Sequence, residues 1–334
     1  MNILLTKTYF KDDLEYMKSG LVADDIHFID PGKYDEDTLI NAIKTDKIEV
    51  LLGDVFTAAI LNAAQDLKLI QIPWTGVDRV NFSLLNGYDI KICNSHSNSL
   101  IVAEHAVSLA LSLLRMLPYH DRKLRVGNWC RPSQNGNNDF YPPVSLVGQS
   151  VGFIGYGAIA KDIRRLLSGF NCKYYAVVNN IQKHNADDFE WLGNQDEINA
   201  LATKAKIIFV AAALTPQTTG IVGKDFLEAM GEDGYIINIS RGQLIDEEAI
   251  YLALKNNTIA GAALDTWYQY PKGGQDATLP SKYNFQELDN VIMSPHRAGF
   301  LKDKMPHLDD AVTNINNLYN GKPLINIINK QNSY

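Results

Sequence analysis

The chain has 334 residues, 46% of them hydrophobic, which is enough for the cores of about two domains. Its 31 basic and 38 acidic residues give a net charge of −7, which argues against nucleic acid or a membrane surface as the main partner. Cys93, Cys130 and Cys172 are far apart and form no CxxC pair, so we expect neither a metal site nor a disulfide framework. The N-terminus does not resemble a signal peptide, and the apolar stretch 101–117 is interrupted by charges, so we expect a cytoplasmic protein.

Short apolar runs alternate with segments of helical spacing along the chain. A first series of predicted strands covers residues 3–5, 26–29, 50–52, 69–72 and 90–93. A second series covers residues 151–154, 174–178, 207–210, 235–239, 262–264 and 291–293. This alternation indicates βα units, so the predicted fold class is α/β with two doubly wound parallel sheets.

Two segments predict helices that pack against these sheets. Residues 99–125 predict one long helix, which includes His105 as a packing or hinge residue. Residues 128–143, rich in Asn, Pro and Gly, predict a loop. The tail from Lys302 predicts a helix that ends near Gly321. Its apolar face comprises Met305, Leu308, Val312, Ile315 and Leu318.

The segment VGFIGYGAIAKDIRRLL combines a strand, a glycine-rich turn and a helix. Gly155, Gly157 and Ala160 form G-x-G-x-x-A, in which the first glycine permits the tight turn and the second lets the backbone approach a pyrophosphate. The N–H groups and dipole of the following helix favour an anion there. The context predicts a dinucleotide site, although glycine-rich turns also occur as plain structural turns.

The end of the next strand bears on which dinucleotide is bound. A dinucleotide-binding fold commonly has an aspartate or glutamate at this position, which binds the ribose hydroxyls. This chain has Val178 there instead, followed by Asn179 and Asn180. Valine does not repel a 2′-phosphate, and Asn179 with Lys183 or His184 could donate hydrogen bonds to one. The pattern favours NADP(H) and leaves NAD(H) open, and Lys183 and His184 alternatively form only a solvated loop.

Three downstream segments carry side chains suited to hydride-transfer chemistry. They are INISRGQLIDEEAI with Arg241, AGAALDTWYQYP with Asp265 and Tyr270, and VIMSPHRAG with His296. Ligands of open α/β sheets bind outside the carboxyl ends of strands, so the segments should converge. A histidine titrates near neutrality and can move the hydroxyl proton in either direction, and an arginine fork suits a carboxylate. We predict His296 as the acid/base and Arg241 as the substrate clamp.

The chain resembles the D-isomer-specific 2-hydroxyacid dehydrogenases from about Ala58 to the C-terminus. The motifs that carry the resemblance are IPWTGVD, VAEHAVSLALSLLR, VGFIGYGAIA, LTPQTTGIVG, INISRGQLIDEEAI, AGAALD and SPHRAG. It implies a flavodoxin-like substrate domain, residues 1–99 with 300–334, and an inserted Rossmann cofactor domain, residues 100–299. It also implies that the two domains close over a small 2-keto or 2-hydroxy acid, and that the protein is a homodimer through the cofactor domain.

The resemblance and the motifs together define a predicted site without a metal. Its catalytic residues are Arg241, His296 and Tyr270. Its substrate-binding residues are Arg241 and the backbone N–H groups of Thr75 and Gly76. Its cofactor-binding residues are Gly155, Tyr156, Gly157, Ala158, Ile159, Asn179, Ala212, Ile239, Ser240, Arg241, Asp265 and His296. The family implies that Asp265 lies near the nicotinamide carboxamide.

One departure from the family pattern concerns the reacting histidine. The usual D-x-F-x-x-E-P signature is replaced by DTWYQYP, which puts Tyr270 in the place of a glutamate that pairs with the histidine. Tyrosine is neutral near pH 7, so we expect the pH optimum for keto-acid reduction to lie further towards acid than in relatives. A one-residue shift of the loop would instead let Gln269 serve, as a glutamine does in formate dehydrogenases.

Three functions compete on this sequence. The leading interpretation is an NAD(P)-dependent 2-keto acid reductase. Chemistry like that of formate dehydrogenase is an alternative, which the bulky tyrosines oppose. The other alternative is a regulator that senses a dinucleotide and does not turn over a substrate. The missing glutamate favours this alternative, whereas the presence of Arg241 and His296 opposes it.

Overall fold

The computed structural model describes residues 1–131, 143–273, 277–302 and 305–330. The chain divides into two units, Met1–Asn98 with Phe300–Tyr334 and Ser99–Gly299. Each unit contains one parallel sheet with helices, so the predicted α/β class with two doubly wound sheets is confirmed. Of the predicted loop 128–143, residues 132–142 lie outside the described residues.

The sheet of the first unit has the order β2-β1-β3-β4-β5, with every described pair parallel, which is the flavodoxin-like order. Its strands are β1 (Asn2–Leu5), β2 (His27–Ile29), β3 (Ile48–Leu52), β4 (Leu69–Gln71) and β5 (Lys91–Cys93). The helices that connect the first four strands are α1 (Lys11–Ser19), α2 (Glu36–Thr45) and α3 (Ala58–Ala63). Alternate strand residues face opposite sides, so Leu4 packs in one core while Ile3 and Leu5 pack in the other.

The segment predicted as one helix over residues 99–125 is two helices, and that prediction is wrong. Helix α4 spans Ser99–Leu114 and α5 spans Leu117–Arg125, with a bend of 59° between them. Met116 has a left-handed backbone with φ 51°, and Pro118 lies in the first turn of α5. Proline has no N–H for the helical ladder and restricts the residue before it, so the helix restarts at this point.

The sheet of the second unit has the order β12-β11-β10-β9-β6-β7-β8, which contains the strand order of a Rossmann fold with one further parallel strand. Its strands are β6 (Ser150–Ile154), β7 (Lys173–Val178), β8 (Trp191–Asn194), β9 (Ile207–Val210), β10 (Tyr235–Asn238), β11 (Gly261–Leu264) and β12 (Val291–Met293). Its further helices are α6 (Ala158–Leu166), α7 (Ile198–Lys204), α8 (Lys224–Met230) and α9 (Glu247–Lys255). Strand β8 was not predicted, because its sequence WLGN is short and contains glycine and asparagine.

Both faces of the second sheet are buried. Ile154, Val177 and Ile208 pack with side chains of α7, α8 and α9 on one face. Phe153 and Phe209 pack with side chains of α4 and α6 on the other. Burial on both faces explains why these strands are continuous apolar runs instead of alternating patterns.

The C-terminal segment returns to the first unit and completes its core. Helix α10 spans Asp309–Tyr319. Leu308 and Ile315 are fully buried beside Ile3 and Leu5, as the predicted apolar face requires. The predicted helix start near Lys302 includes residues 303–304, which lie outside the described residues.

One finding bears on membranes. Within the described ranges, no single helix has both the length and the apolar character needed to cross a bilayer. The pair α4 and α5 meets these criteria only when both helices are counted together across their bend.

A buried amide on α10 generates a stability prediction. Asn314 is fully buried, and its side chain donates to Gln71 Oε1 at 2.8 Å and to Ile325 O at 3.0 Å while it accepts from Ile325 N at 2.8 Å. Asn314→Leu leaves these partners buried without hydrogen bonds, which we expect to destabilise the protein by about 2–4 kcal/mol. The neighbouring exposed Thr313→Ala is the control, with an expected change below about 0.5 kcal/mol. Urea unfolding measures both, and equal midpoints for the two variants would contradict the prediction.

Candidate active site

The turn after β6 has the geometry of a phosphate-binding turn. Gly155 has φ +83°, and a Cβ at this position would lie 2.7 Å from Ala212 Cα, so only glycine fits. A Cβ at Gly157 would meet no atom within 4 Å, so this glycine faces open space at the N-terminus of α6. Ala158 and Ile159 begin that helix, and its first N–H groups suit an anion. The turn therefore fits the pyrophosphate of a dinucleotide.

Tyr156 lies between the two glycines, but its side chain is largely buried. Its ring is edge-on to Phe189 at 4.7 Å and to His184 at 5.8 Å between centroids. Its hydroxyl accepts from Arg164 Nη1 at 3.3 Å. The side chain therefore connects the turn to the segment after β7.

The end of β7 presents Asn179 as the first exposed side chain. Val178, where sequence reasoning placed the ribose-binding position, is only 4% exposed. Lys183 is exposed and His184 is partly buried. Burial lowers the pKa of His184, and the positive charges of Lys161 and Lys183 lower it further.

The loop after β10 is organised by an asparagine that sequence reasoning missed. Asn238 is 1% exposed; its side chain accepts from Ser240 N at 3.1 Å and donates to Arg241 O at 2.8 Å. Ser240 Oγ donates to Ala212 O, which joins this loop to the one that packs on Gly155. Ile239 is buried between these polar residues. In the sequence, the role of Asn238 was indicated only by its place as a polar residue at the end of an apolar strand.

The Arg241 loop packs directly against the segment after β11. A Cβ at Gly242 would lie 2.5 Å from Trp267 O and 2.6 Å from Trp267 C, so the two backbones need glycine here. Arg241 Nη1 donates to Ser240 O at 2.8 Å, and the arginine side chain is partly buried. Trp267 is 3% exposed, and its indole N–H donates to Ser294 O at 2.8 Å. The three segments singled out in the sequence are therefore in contact at the carboxyl end of this sheet.

Asp265 is fully buried directly after β11. Its Oδ1 accepts from Arg297 N at 2.8 Å and its Oδ2 accepts from Ala298 N at 3.1 Å. Ser294 Oγ also donates to Oδ1. Burial alone would raise the pKa of Asp265, but hydrogen bonds from His105, Ser294 and the two N–H groups lower it below its ordinary value. The carboxylate therefore stays ionised at neutral pH.

His296 and Tyr270 lie side by side. Their ring centroids are 5.6 Å apart with a tilt of 54° between the ring planes. The hydroxyl of Tyr270 accepts from Trp267 N at 3.1 Å, and 39% of the residue is exposed. Tyr270 thus contacts the histidine from the position that the sequence pattern assigns to the family glutamate.

Thr75 and Gly76 belong to the first unit, after β4. Thr75 Oγ1 donates to Ser95 O at 2.9 Å, and Thr75 O accepts from Asn94 Nδ2 at 2.8 Å. Lys7 Nζ lies 4.2 Å from the ring centroid of Trp74, beside this turn. These contacts fix the backbone of the turn at the carboxyl end of the first sheet.

Two further residues of the second unit, Ser294 and His105, contact Asp265, and the sequence did not indicate these contacts. Ser294 lies at the end of β12 and binds Asp265, and His105 Nε2 on α4 is 3.1 Å from Ser294 Oγ. The sequence indicated His105 only as a packing or hinge residue, because nothing in its neighbours along the chain points to Ser294. In the parts of the chain that the structure describes, no three His, Cys, Asp or Glu side chains group as metal ligands would.

Comparisons with known proteins identify the family of this chain. Residues 107–298 match the family model of the D-isomer specific 2-hydroxyacid dehydrogenase NAD binding domain. A glycerate dehydrogenase of Methylorubrum extorquens is 33% identical over 269 residues, which cover 79% of each chain. A D-3-phosphoglycerate dehydrogenase of Archaeoglobus fulgidus is 26% identical over 98% of this chain but 59% of its own length, so this chain spans little more than half of that relative.

A solved structure shows the same fold along the whole chain. The PH0520 protein of Pyrococcus horikoshii OT3 has a TM-score of 0.78 and 25% identity, with coverage of 99% of this chain and 95% of its own. The family that the sequence motifs predicted is confirmed by the family model and by the relatives. The chain belongs to the D-isomer specific 2-hydroxyacid dehydrogenase family and is a nicotinamide-dependent oxidoreductase.

Proposed function

We propose that this protein is an NAD(P)-dependent D-2-hydroxyacid dehydrogenase that reduces a small 2-keto acid. The observation that carries the proposal is the contact between the Arg241 loop, the Asp265–Tyr270 segment and the His296 loop, in the same unit as the dinucleotide turn. In this proposal the second unit binds the dinucleotide and the first unit contributes the Thr75–Gly76 turn to the substrate.

The nicotinamide cofactor supplies or accepts the hydride when it is bound. Arg241 carries a permanent planar charge that binds the substrate carboxylate and polarises the neighbouring carbonyl. His296 donates a proton to the carbonyl oxygen during reduction and accepts it again during oxidation. Asp265 holds the backbone of the His296 loop through the N–H groups of Arg297 and Ala298.

The cofactor we favour is NADP(H). Asn179 is the first exposed side chain after β7, and the sequence from Val178 to His184 contains no acid that would repel a 2′-phosphate. Lys183 is exposed on the following turn. The acidic Asp188 further along lies 3.4 Å from Arg164 Nη1, so its charge is partly compensated. Binding of NADPH and NADH to the protein, followed by nicotinamide fluorescence, measures this preference directly.

The acid/base role predicts the effect of His296→Ala. We expect kcat for a 2-keto acid to fall by about 100-fold or more because the proton donor is lost. Oxidation of NADPH or NADH is followed by absorbance, with a panel of 2-keto acids from glyoxylate to hydroxypyruvate and aromatic pyruvates.

The control for this assay is His27→Ala, an exposed histidine of the first unit. A His296→Ala variant that retains the wild-type kcat would refute the proposed role. A wild-type protein that binds a dinucleotide tightly but reduces no member of the panel would favour the regulator interpretation.

The contact between Tyr270 and His296 predicts a change of pH profile. Tyr270→Glu places a carboxylate beside the imidazole, which favours the charged form and raises the pKa of His296. Reduction needs protonated His296, and its rate falls as pH rises through that pKa. The falling limb of the profile should therefore move to higher pH in this variant.

The matched control is Tyr270→Gln, which has the same size as the glutamate variant without its charge. The kcat/KM for keto-acid reduction is measured between pH 5 and 9 (roughly the range over which histidine titrates). Identical pH profiles for the Glu and Gln variants would show that a charge at position 270 does not change the pKa of His296.

We also propose that the protein is a homodimer through the cofactor domain. Apolar side chains are exposed on α5 and the segment after it, including Leu124 at 50%, Val126 at 81% and Trp129 at 67%. Val126→Asp should weaken dimerisation by at least about 10-fold, because a charge would be buried without a partner. The control is Val22→Asp, an exposed valine of the first unit. Light scattering across protein concentrations reports the dimer, and a monomeric wild type would contradict the proposal.

A further inference from the structure

The loop that carries the reacting histidine has an unusual backbone. His296 has φ +56°, in the left-handed region that only a few per cent of non-glycine residues adopt, asparagine, aspartate and histidine most often among them. Such a conformation costs energy and persists only where the surroundings enforce it. The imidazole direction follows from this backbone, so whatever stabilises the left-handed residue also controls where the proton donor points.

The stabilising group is the buried carboxylate of Asp265. It accepts from the N–H groups of Arg297 and Ala298, the two residues that directly follow His296. It also accepts from Ser294 Oγ, two residues before His296. Hydrogen bonds to an ionised acceptor are about twice as strong as those between neutral groups. Asp265 therefore binds the loop on both sides of the histidine.

His105 reaches the same network from helix α4. Its Nε2 is 3.1 Å from Ser294 Oγ and 3.5 Å from Asp265 Oδ1. The single hydroxyl proton of Ser294 is donated to Asp265, so Ser294 Oγ can only accept from His105. It follows that Nε2 of His105 carries a proton, which is directed at Ser294 Oγ and at Asp265 Oδ1. His105 therefore acts on the carboxylate both directly and through Ser294.

The surroundings of His105 keep this chain in place. Helix α4 packs its buried residues, among them Val102, Ala106 and Leu109, against the second sheet. His105 is anchored on that rigid helix, with 29% of its side chain exposed. The Ser294 hydroxyl, one of the donors to Asp265, is therefore hydrogen-bonded to a residue 189 positions away in the chain.

We propose that His105 is a positioning residue for the reaction: directly and through Ser294 it orients the Asp265 carboxylate and thereby holds His296 in its left-handed, proton-donating conformation. This inference rests on the proposed acid/base role of His296. His105 itself need not touch the substrate. A purely packing role for His105 would affect stability without a selective effect on the chemical step.

Two substitutions of His105 separate these roles. His105→Gln retains an N–H donor at a similar distance from the backbone, whereas His105→Leu keeps the volume and removes the donor. Because small displacements of a reacting group cost on the order of 10²-fold in rate, we expect kcat of His105→Leu to fall about 10–100-fold. The KM for the keto acid should change by less than about threefold, and His105→Gln should recover most of the loss.

A second measurement does not depend on turnover. Hydrogen exchange of the peptide that contains residues 294–298 reports whether the Arg297 and Ala298 N–H groups remain bound to Asp265. We expect faster exchange in His105→Leu and near wild-type exchange in His105→Gln. The control on the same helix is Ser108→Ala, an exposed residue whose hydroxyl donates only to Glu104 O within the helix. It should change neither kcat nor exchange in this peptide.

The outcomes are distinguishable from failure of the proposed function. Unchanged exchange and unchanged kcat in His105→Leu would overturn the positioning role. So would equal losses in the Leu and Gln variants, which would indicate packing alone. Faster exchange in His105→Leu with recovery in His105→Gln supports the positioning of the loop, even where His296→Ala shows that His296 is not the proton donor.

Discussion

The carboxylate of Asp265 is the group on which the conformation of the loop after β12 depends. A buried charge is costly unless polar donors surround it, and here the donors come from the loop that contains His296. The buried carboxylate needs hydrogen bonds from these N–H groups, and this need also determines the conformation of that loop. The charge is placed directly after β11, so its position is fixed by the ladder of the sheet instead of by a flexible segment.

Close backbone contact extends this constraint to the Arg241 loop. The Arg241 loop approaches the Trp267 backbone at a distance that only glycine allows at position 242. Trp267 then binds Ser294 O through its indole, and Tyr270 lies against His296. Arg241, which we propose as the substrate clamp, and His296, which we propose as the proton donor, therefore lie on loops joined by one continuous set of contacts.

The sequence predicted the fold and the principal motifs but not their connections. Eleven strands were visible as apolar runs, most of which are buried on both faces, whereas β8 was too short and polar to recognise. The break between α4 and α5 was hidden by the apolar character of both helices, although Pro118 is its physical cause. Gly155, Gly157, Arg241 and His296 are recognisable by motif. The inward direction of Tyr156 and the hydrogen bonds of Asn238 and His105 depend on tertiary contacts that no local pattern encodes.

The two glycines of the dinucleotide turn are restricted for different reasons. At position 155 a side chain would collide with the protein itself, so selection for folding alone preserves the glycine. At position 157 there is room for a side chain, and what an added methyl group would obstruct is the approach of a ligand. A substitution of Gly157 would therefore leave folding intact and affect only the binding of the ligand. A lineage that abandoned its nucleotide could therefore lose this glycine while it kept an intact scaffold.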